Sequence, residues 1–108
     1  MSTSIDYIHF IIEQIRQSGC MYPVRFRKMF GEYMIYVDDR PILTVCDDTV
    51  FVKKHECLTD LMQEAEFGHP YTGAKEHYIL DIEDTERTCE VLKAMVEVTP
   101  IPVKKKKR

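Results

Sequence analysis

At 108 residues the chain has the length of one domain, and its composition of 44% hydrophobic and 31% charged residues is typical of a globular protein. No apolar run approaches the roughly 20 residues that cross a bilayer. Because no basic segment typical of a secretory signal opens the chain, we expect a cytoplasmic protein.

The net charge of −3 conceals an uneven distribution of charge. Residues 104–108 carry five of the fifteen Lys and Arg and none of the eighteen Asp and Glu. The rest of the chain therefore has ten basic against eighteen acidic residues, a charge of −8. This distribution argues against a domain that binds DNA across its whole surface.

The first predicted element is a helix over residues 5–18. Isoleucines recur there at helical spacing and form one apolar stripe, at Ile5, Ile8, Ile12 and Ile15. Ser4 is predicted to cap the start of the helix, and Gly19 is predicted to follow its last residues.

The next stretch, over residues 24–54, predicts an antiparallel meander of four strands. It is rich in β-branched and aromatic residues, and turn residues interrupt it at even intervals. We expect strands at 24–29, 32–38, 41–46 and 49–54. Gly31 and the pairs Asp38-Asp39 and Asp47-Asp48 suit the three turns, because glycine and aspartate tolerate a positive φ.

Several of these strands are apolar on both sides. We therefore expect helices on one face of the sheet, and a loop, the C-terminal segment or a second subunit over part of the other. Met34, Tyr36 and Ile42 occupy positions that one layer of helices cannot all cover. They predict a symmetric homodimer.

The same stretch resembles a known family. Its sequence Arg27-Lys28-Met29-Phe30-Gly31, then Tyr36-Val37-Asp38, an apolar strand, an Asp-rich turn and Val50-Phe51-Val52-Lys53, is similar to the N-terminal domain of the TfoX (Sxy) competence regulators. The similarity covers most of residues 5–98, and members often have a small residue in place of Glu32. It implies the same fold, no catalytic motif, and a role in bacterial transcriptional regulation through protein partners. Full regulators carry a second, C-terminal domain that this sequence lacks, so the resemblance supports the fold more strongly than competence regulation.

The remaining elements are predicted from periodicity and turn residues. They are a short helix over about 56–66, a loop over 67–75, a fifth strand over 77–82 and a last helix over 83–98. Together the elements predict an α+β domain over 1–99, with an antiparallel four- to five-stranded meander packed against N- and C-terminal helices. Residues 100–108 contain two prolines and the basic run, and we expect a disordered tail.

Motifs for catalysis or metal binding are not found. The two Asp pairs lie at opposite ends of one predicted strand, roughly 26 Å apart, too far to share an ion. The four histidines lack the spacing of a helical zinc site, and the four cysteines lack Cys-x-x-Cys spacing. We therefore expect free thiols, no metal, no cofactor and no enzyme activity.

Two basic features are candidate binding sites. Arg25, Arg27 and Lys28, with Phe30 and Gly31, are predicted to dock an acidic protein partner such as part of the transcription machinery. The alternative is a solvated strand whose arginines pair with nearby carboxylates. The tail is predicted to bind nucleic acid weakly and without sequence preference, through Lys104, Lys105, Lys106, Lys107 and Arg108.

A second class of function stays open. The chain could be a small ligand-binding protein or enzyme that uses the loop at 67–78, with Tyr71, His77 and Tyr78 as the candidate contacts. A deep polar pocket beside these residues would favour that function, whereas a flat apolar sheet face would favour the interaction domain. From the sequence we favour the interaction domain.

Overall fold

The computed structural model describes residues 4–29, 32–70 and 72–101, and it has the predicted α+β architecture. Within these ranges, two helices pack on one face of an antiparallel sheet. The elements in chain order are α1 (Ile5–Gln17), β1 (Val24–Met29), β2 (Glu32–Val37), β3 (Arg40–Cys46), β4 (Thr49–Lys53), a 3₁₀ turn (Glu56–Leu58), β5 (Phe67–Gly68), β6 (His77–Ile79) and α2 (Thr85–Val98).

Helix α1 forms where the isoleucine spacing predicts it. Ser4 is its N-cap, and the Ser4 hydroxyl accepts a hydrogen bond from the backbone N–H of Tyr7 at 3.2 Å. Gly19 follows the helix with a φ of +89°, a left-handed conformation that favours glycine. Ile5 is 43% exposed, while the buried stripe consists of Ile8, Ile11, Ile12 and Ile15.

In the described part of the chain the sheet has six strands in the order β1-β2-β3-β4-β6-β5, and every neighbouring pair is antiparallel. The four predicted strands of the meander are confirmed to within one residue at each end. Both central turns consist of two aspartates with positive φ, at Asp38-Asp39 and Asp47-Asp48. Turns of this kind match the right-handed twist of the strands that they join.

The prediction of a helix over 56–66 is wrong. Only the 3₁₀ turn forms there, and it is followed by irregular turns. The N–H of Met62 bonds the carbonyl of Leu58 at 2.8 Å, but the next bond runs from Ala65 to Met62 and shortens the repeat. Thr59 and Asp60 stand in the middle of this segment, and both residue types have a low helix propensity.

In the second half of the chain, the boundaries of the elements also differ from the predicted ones. The predicted loop at 67–75 contains β5, and β6 ends at Ile79 because Asp81 forms a local turn by accepting the N–H of Glu83 at 3.1 Å. Helix α2 begins at Thr85 instead of residue 83, since the side chain of Asp84 accepts the N–H of Arg87 at 3.2 Å and caps the helix.

Side-chain alternation divides the sheet into two faces. The inner face lies against the helices and forms the core, with Ile35, Leu43, Val45 and Val52 completely buried. The outer face carries the alternate positions, which are Arg25, Arg27, Glu32, Met34, Tyr36, Thr44, Phe51, Lys53, His77 and Ile79.

A β-bulge interrupts β3 on the outer face. The register between β2 and β3 shifts so that Pro41 and Ile42 together lie opposite Tyr36. This irregularity explains how a central strand accommodates a proline, which has no N–H to contribute to the ladder.

Candidate functional site

Strand β1 forms one edge of the sheet. One of its sides pairs with β2, and the other pairs with no strand in the described part of the chain. An edge strand presents unpaired N–H and C=O groups that another extended chain can pair with. The predicted docking residues on β1 therefore lie beside a free backbone edge.

The structure separates the predicted cationic cluster. Arg25 and Arg27 are exposed on the outer face, in register with Tyr36 and Met34. Lys28 is in register with Tyr33, so alternation places it on the opposite face. The predicted members Phe30 and Gly31 lie outside the described residues.

Arg25 already has partners within the chain. Its guanidinium carbon lies 4.2 Å from the ring centre of Tyr36, and its Nε lies 3.4 Å from Oδ1 of Asp39. Both side chains of this ion pair are more than half exposed, so the pair adds little stability. Arg27 and Lys28 form no ion pair with any described residue, which leaves both charges available to a partner.

A groove of about 470 Å³ runs between β1 and α1, and we call it the side groove. The ring of His9 meets the ring of Phe26 edge-on inside it, with 6.0 Å between the ring centres. Its apolar floor lies next to the free edge of β1, and its rim carries charges of both signs. The lining residues are His9, Ile12, Glu13, Arg16, Val24, Arg25 and Phe26.

A second groove, of about 450 Å³, lies on the outer face, and we call it the outer groove. The bulge turns Pro41 and Ile42 toward it, and the loop at 73–75 forms one of its walls. A loop therefore covers part of the outer face of the sheet. The lining residues are Glu32, Met34, Pro41, Ile42, Thr44, Lys53, Gly73, Ala74, Lys75 and His77.

The polar groups of the outer groove are unevenly placed. Lys53 and His77 are register partners on β4 and β6, and Nδ1 of His77 lies 2.7 Å from the carbonyl oxygen of Lys75. A carbonyl only accepts, so Nδ1 of His77 carries the hydrogen. Glu32 is the carboxylate in the lining, and its burial raises its pKa above the ordinary value.

The candidate contacts of the alternative ligand loop do not converge. His77 lines the outer groove, whereas Tyr78 is in register with Val52 and is 7% exposed on the inner face. The ring of Tyr78 lies 5.5 Å from that of Phe67. Adjacent residues of a strand point to opposite faces, so His77 and Tyr78 cannot line one pocket. Tyr71 lies outside the described residues, as does the tail at 104–108.

The sequence did not identify Lys53, Lys75 or Glu32 as candidate site residues. They are far apart in the chain, and pairing between strands brings them around one groove. Alternation on β4 distinguishes Lys53 from Lys54, and that signal was available in the sequence. The position of the loop at 73–75 could not be predicted from the sequence.

Metal and membrane features are absent from the described ranges. No three His, Cys, Asp or Glu side chains of residues 4–29, 32–70 and 72–101 are grouped as metal ligands would be. Neither helix in those ranges has the length and apolar character to traverse a bilayer.

The four cysteines are free, and Cys20 is buried against α2. Burial and the neighbouring Cys89 raise the pKa of the Cys20 thiol to about 11. The thiolate is the reactive form, so this thiol is a poor nucleophile near neutral pH.

We expect Cys20 to react very slowly with iodoacetamide in the folded protein, since only about one thiol in a thousand is ionised near pH 8. Peptide mass spectrometry over a range of pH values measures the rate at each cysteine. The Cys20 rate should still be rising at about pH 10, and in denaturant all four cysteines should react alike. A rate for folded Cys20 equal to that in denaturant would contradict the prediction.

Comparison with known proteins shows a matching family and a similar protein. The family model described as the TfoX N-terminal domain matches residues 16–99. An uncharacterised 12.7 kDa protein in the trpE 5′ region of Spirochaeta aurantia is 32% identical over 108 residues, which is 98% of this chain and 91% of that protein. No solved structure gives a significant match.

Proposed function

The chain belongs to the TfoX N-terminal domain family, and we propose that it is a non-catalytic protein-interaction domain that acts in regulation in the cytoplasm. Its partner is an extended acidic segment that docks along the free edge of β1. The observation that carries the proposal is an edge strand with cationic side chains on both faces. Arg25 and Arg27 project from the outer face, and Lys28 from the other.

The backbone of β1 supplies the first part of the interaction. A partner strand that adds to a free edge gains main-chain hydrogen bonds, and its alternate side chains meet the two faces of the sheet. Acidic side chains on the outer face would meet Arg27, whose charge is unpaired within the described residues. Apolar side chains on the other face would lie over the side groove, beside Val24 and Phe26.

Charge also argues for an acidic partner over a second copy of β1. Two antiparallel copies centred on Phe26 would place Arg25 of one opposite Arg27 of the other. An antiparallel pair centred on Arg25 or on Arg27 would also place two cations opposite each other. Like charges directly opposite each other destabilise a strand pair. The predicted homodimer would therefore use the outer face of the sheet, and it stays a prediction. On that face Ile42 is only 4% exposed in the single chain.

The proposal is tested by charge reversal on the outer face of β1. A partner isolated from the native cells with the wild-type chain is measured by surface plasmon resonance against the Arg25→Glu/Arg27→Glu variant. We expect the association rate at low salt to fall about tenfold or more, because rim charges act mainly on the rate of encounter. The free energy of unfolding should change by less than about 1 kcal/mol.

The matched control is Arg87→Glu/Lys93→Glu on α2, which changes the net charge by the same amount at one half-buried and one exposed position. It should keep the association rate within about twofold of the wild type. If the β1 variant binds with unchanged kinetics, or if the control loses as much as the β1 variant, β1 is an ordinary solvated edge and the proposal fails.

A further inference from the structure

We propose that the outer groove is a binding site for a small organic anion. The carboxylate or phosphate of the ligand is held between Lys53 and Lys75 beside His77, and its apolar part lies on the floor of the groove. This site is separate from the edge of β1, so either one can fail without the other.

The cationic end of the groove is built by two adjacent elements. Lys53 faces His77 directly across the β4–β6 pair, a geometry that brings Cβ atoms to about 5 Å. The carbonyl of Lys75 accepts a hydrogen bond from Nδ1 of His77 at 2.7 Å, which fixes the backbone of Lys75 just before β6. Lys53, Lys75 and His77 therefore line the same end of the groove.

Neither lysine of the outer groove has an acidic partner in the described part of the chain. Lys53 and Lys75 form no ion pair with any residue of the described part of the chain, whereas the adjacent Lys54 pairs with Glu76 at 3.1 Å on the other side of β4. Residues 1–103 carry an excess of eight acidic residues, yet neither lysine is paired with one of them in the described part of the chain. An anionic group between them would relieve their mutual repulsion.

Glu32 does not neutralise this end. The register places Glu32 beside Cys46 and Lys53 beside Ile42, and four residues of β3 separate these positions by about 13 Å. That separation exceeds the Debye length of about 8 Å at physiological salt. The groove is thus cationic at one end only.

The floor between the two ends selects for an apolar body. Ile42 and Thr44 are 4% and 7% exposed, and Met34 and Pro41 lie beside them. The Thr44 hydroxyl is directed to the sulfur of Met34 at 3.9 Å, so little hydrogen-bonding capacity faces the ligand. A volume of about 450 Å³ lies within the range of small-molecule sites, roughly 300–1,000 Å³.

The test is a titration of the full chain, followed by two-dimensional amide NMR, with three probes. Sodium octanoate has the proposed charge and an apolar body, octylammonium chloride reverses the charge, and inorganic phosphate lacks the apolar body. We expect saturable shifts with octanoate at the amides of Thr44, Lys53 and His77. Octylammonium and phosphate should bind at least about fivefold more weakly.

Substitutions at neighbouring lysines then locate the site. Lys53→Gln should weaken octanoate binding about three- to fivefold, and Lys53→Gln/Lys75→Gln about tenfold or more, as expected for partly exposed charge pairs. Lys54→Gln is the matched control and should leave the affinity within about twofold. Equal binding of octanoate and octylammonium, equal binding of phosphate, or equal effects of Lys53→Gln and Lys54→Gln would overturn the proposal.

Discussion

Replacing Leu43 with alanine is expected to lower the free energy of unfolding by about 3 kcal/mol or more. Leu43 is completely buried at the centre of β3, and its register partners Ile35 and Val52 are buried as well. Strands flank it on both sides and α2 contacts β3, so the surroundings cannot collapse into the cavity. Urea denaturation followed by circular dichroism measures the loss.

The control for this variant is Ile5→Ala, which also truncates an aliphatic side chain. Ile5 is 43% exposed on α1, so we expect a loss below about 1 kcal/mol. The dependence of unfolding on urea should be the same in both variants, because neither changes the surface exposed on unfolding appreciably. Losses of similar size at the two positions would contradict the placement of Leu43 at the centre of the core.

Features fixed by neighbouring residues could be predicted from the sequence. The caps at Ser4 and Gly19 and the turns at Asp38-Asp39 and Asp47-Asp48 depend on the conformations that single residues tolerate. Alternation within 24–54 then gives the strands and their faces. These signals are local, so the four-strand meander and α1 were predicted with nearly correct bounds.

Features that depend on distant contacts could not be predicted in the same way. The two residues of β5 are a strand only because Phe67 and Gly68 pair with β6, and β6 joins the sheet through β4. At 56–66 an apolar pattern resembled a helix, but Thr59 and Asp60 are weak helix formers. Short elements of this kind are decided by tertiary pairing, which one sequence does not contain.

The candidate sites show the same difference between features set by neighbouring residues and features set by distant contacts. Arg25 and Arg27 could be assigned to one face by alternation, and the same rule would have separated Lys28 from them and Tyr78 from His77. The outer groove could not be predicted, because it needs the bulge at Pro41 and the position of the loop at 73–75.

The Arg40→Met substitution is expected to lower the free energy of unfolding by about 2 kcal/mol. Nε of Arg40 donates to the carbonyl of Thr99 at 2.8 Å, and Nη1 donates to the backbone and side chain of Asp38 at 2.9 and 2.7 Å. The Arg40 side chain is only 22% exposed, so water replaces these bonds poorly. Methionine keeps most of the apolar stem and removes the guanidinium.

The expected loss depends on where this guanidinium lies. Thr99 is the C-cap of α2, where the negative end of the helix dipole favours a cation. Arg40 thereby links the β2–β3 turn to the end of α2, and its loss should increase amide hydrogen exchange in the last turn of that helix. Arg16→Met is the control, because Arg16 pairs with Glu13 at 3.8 Å with both side chains more than half exposed and should lose less than about 0.5 kcal/mol. If Arg40→Met is no more destabilising than Arg16→Met, or if exchange at the end of α2 stays unchanged, the Arg40 contacts do not hold α2 to the sheet.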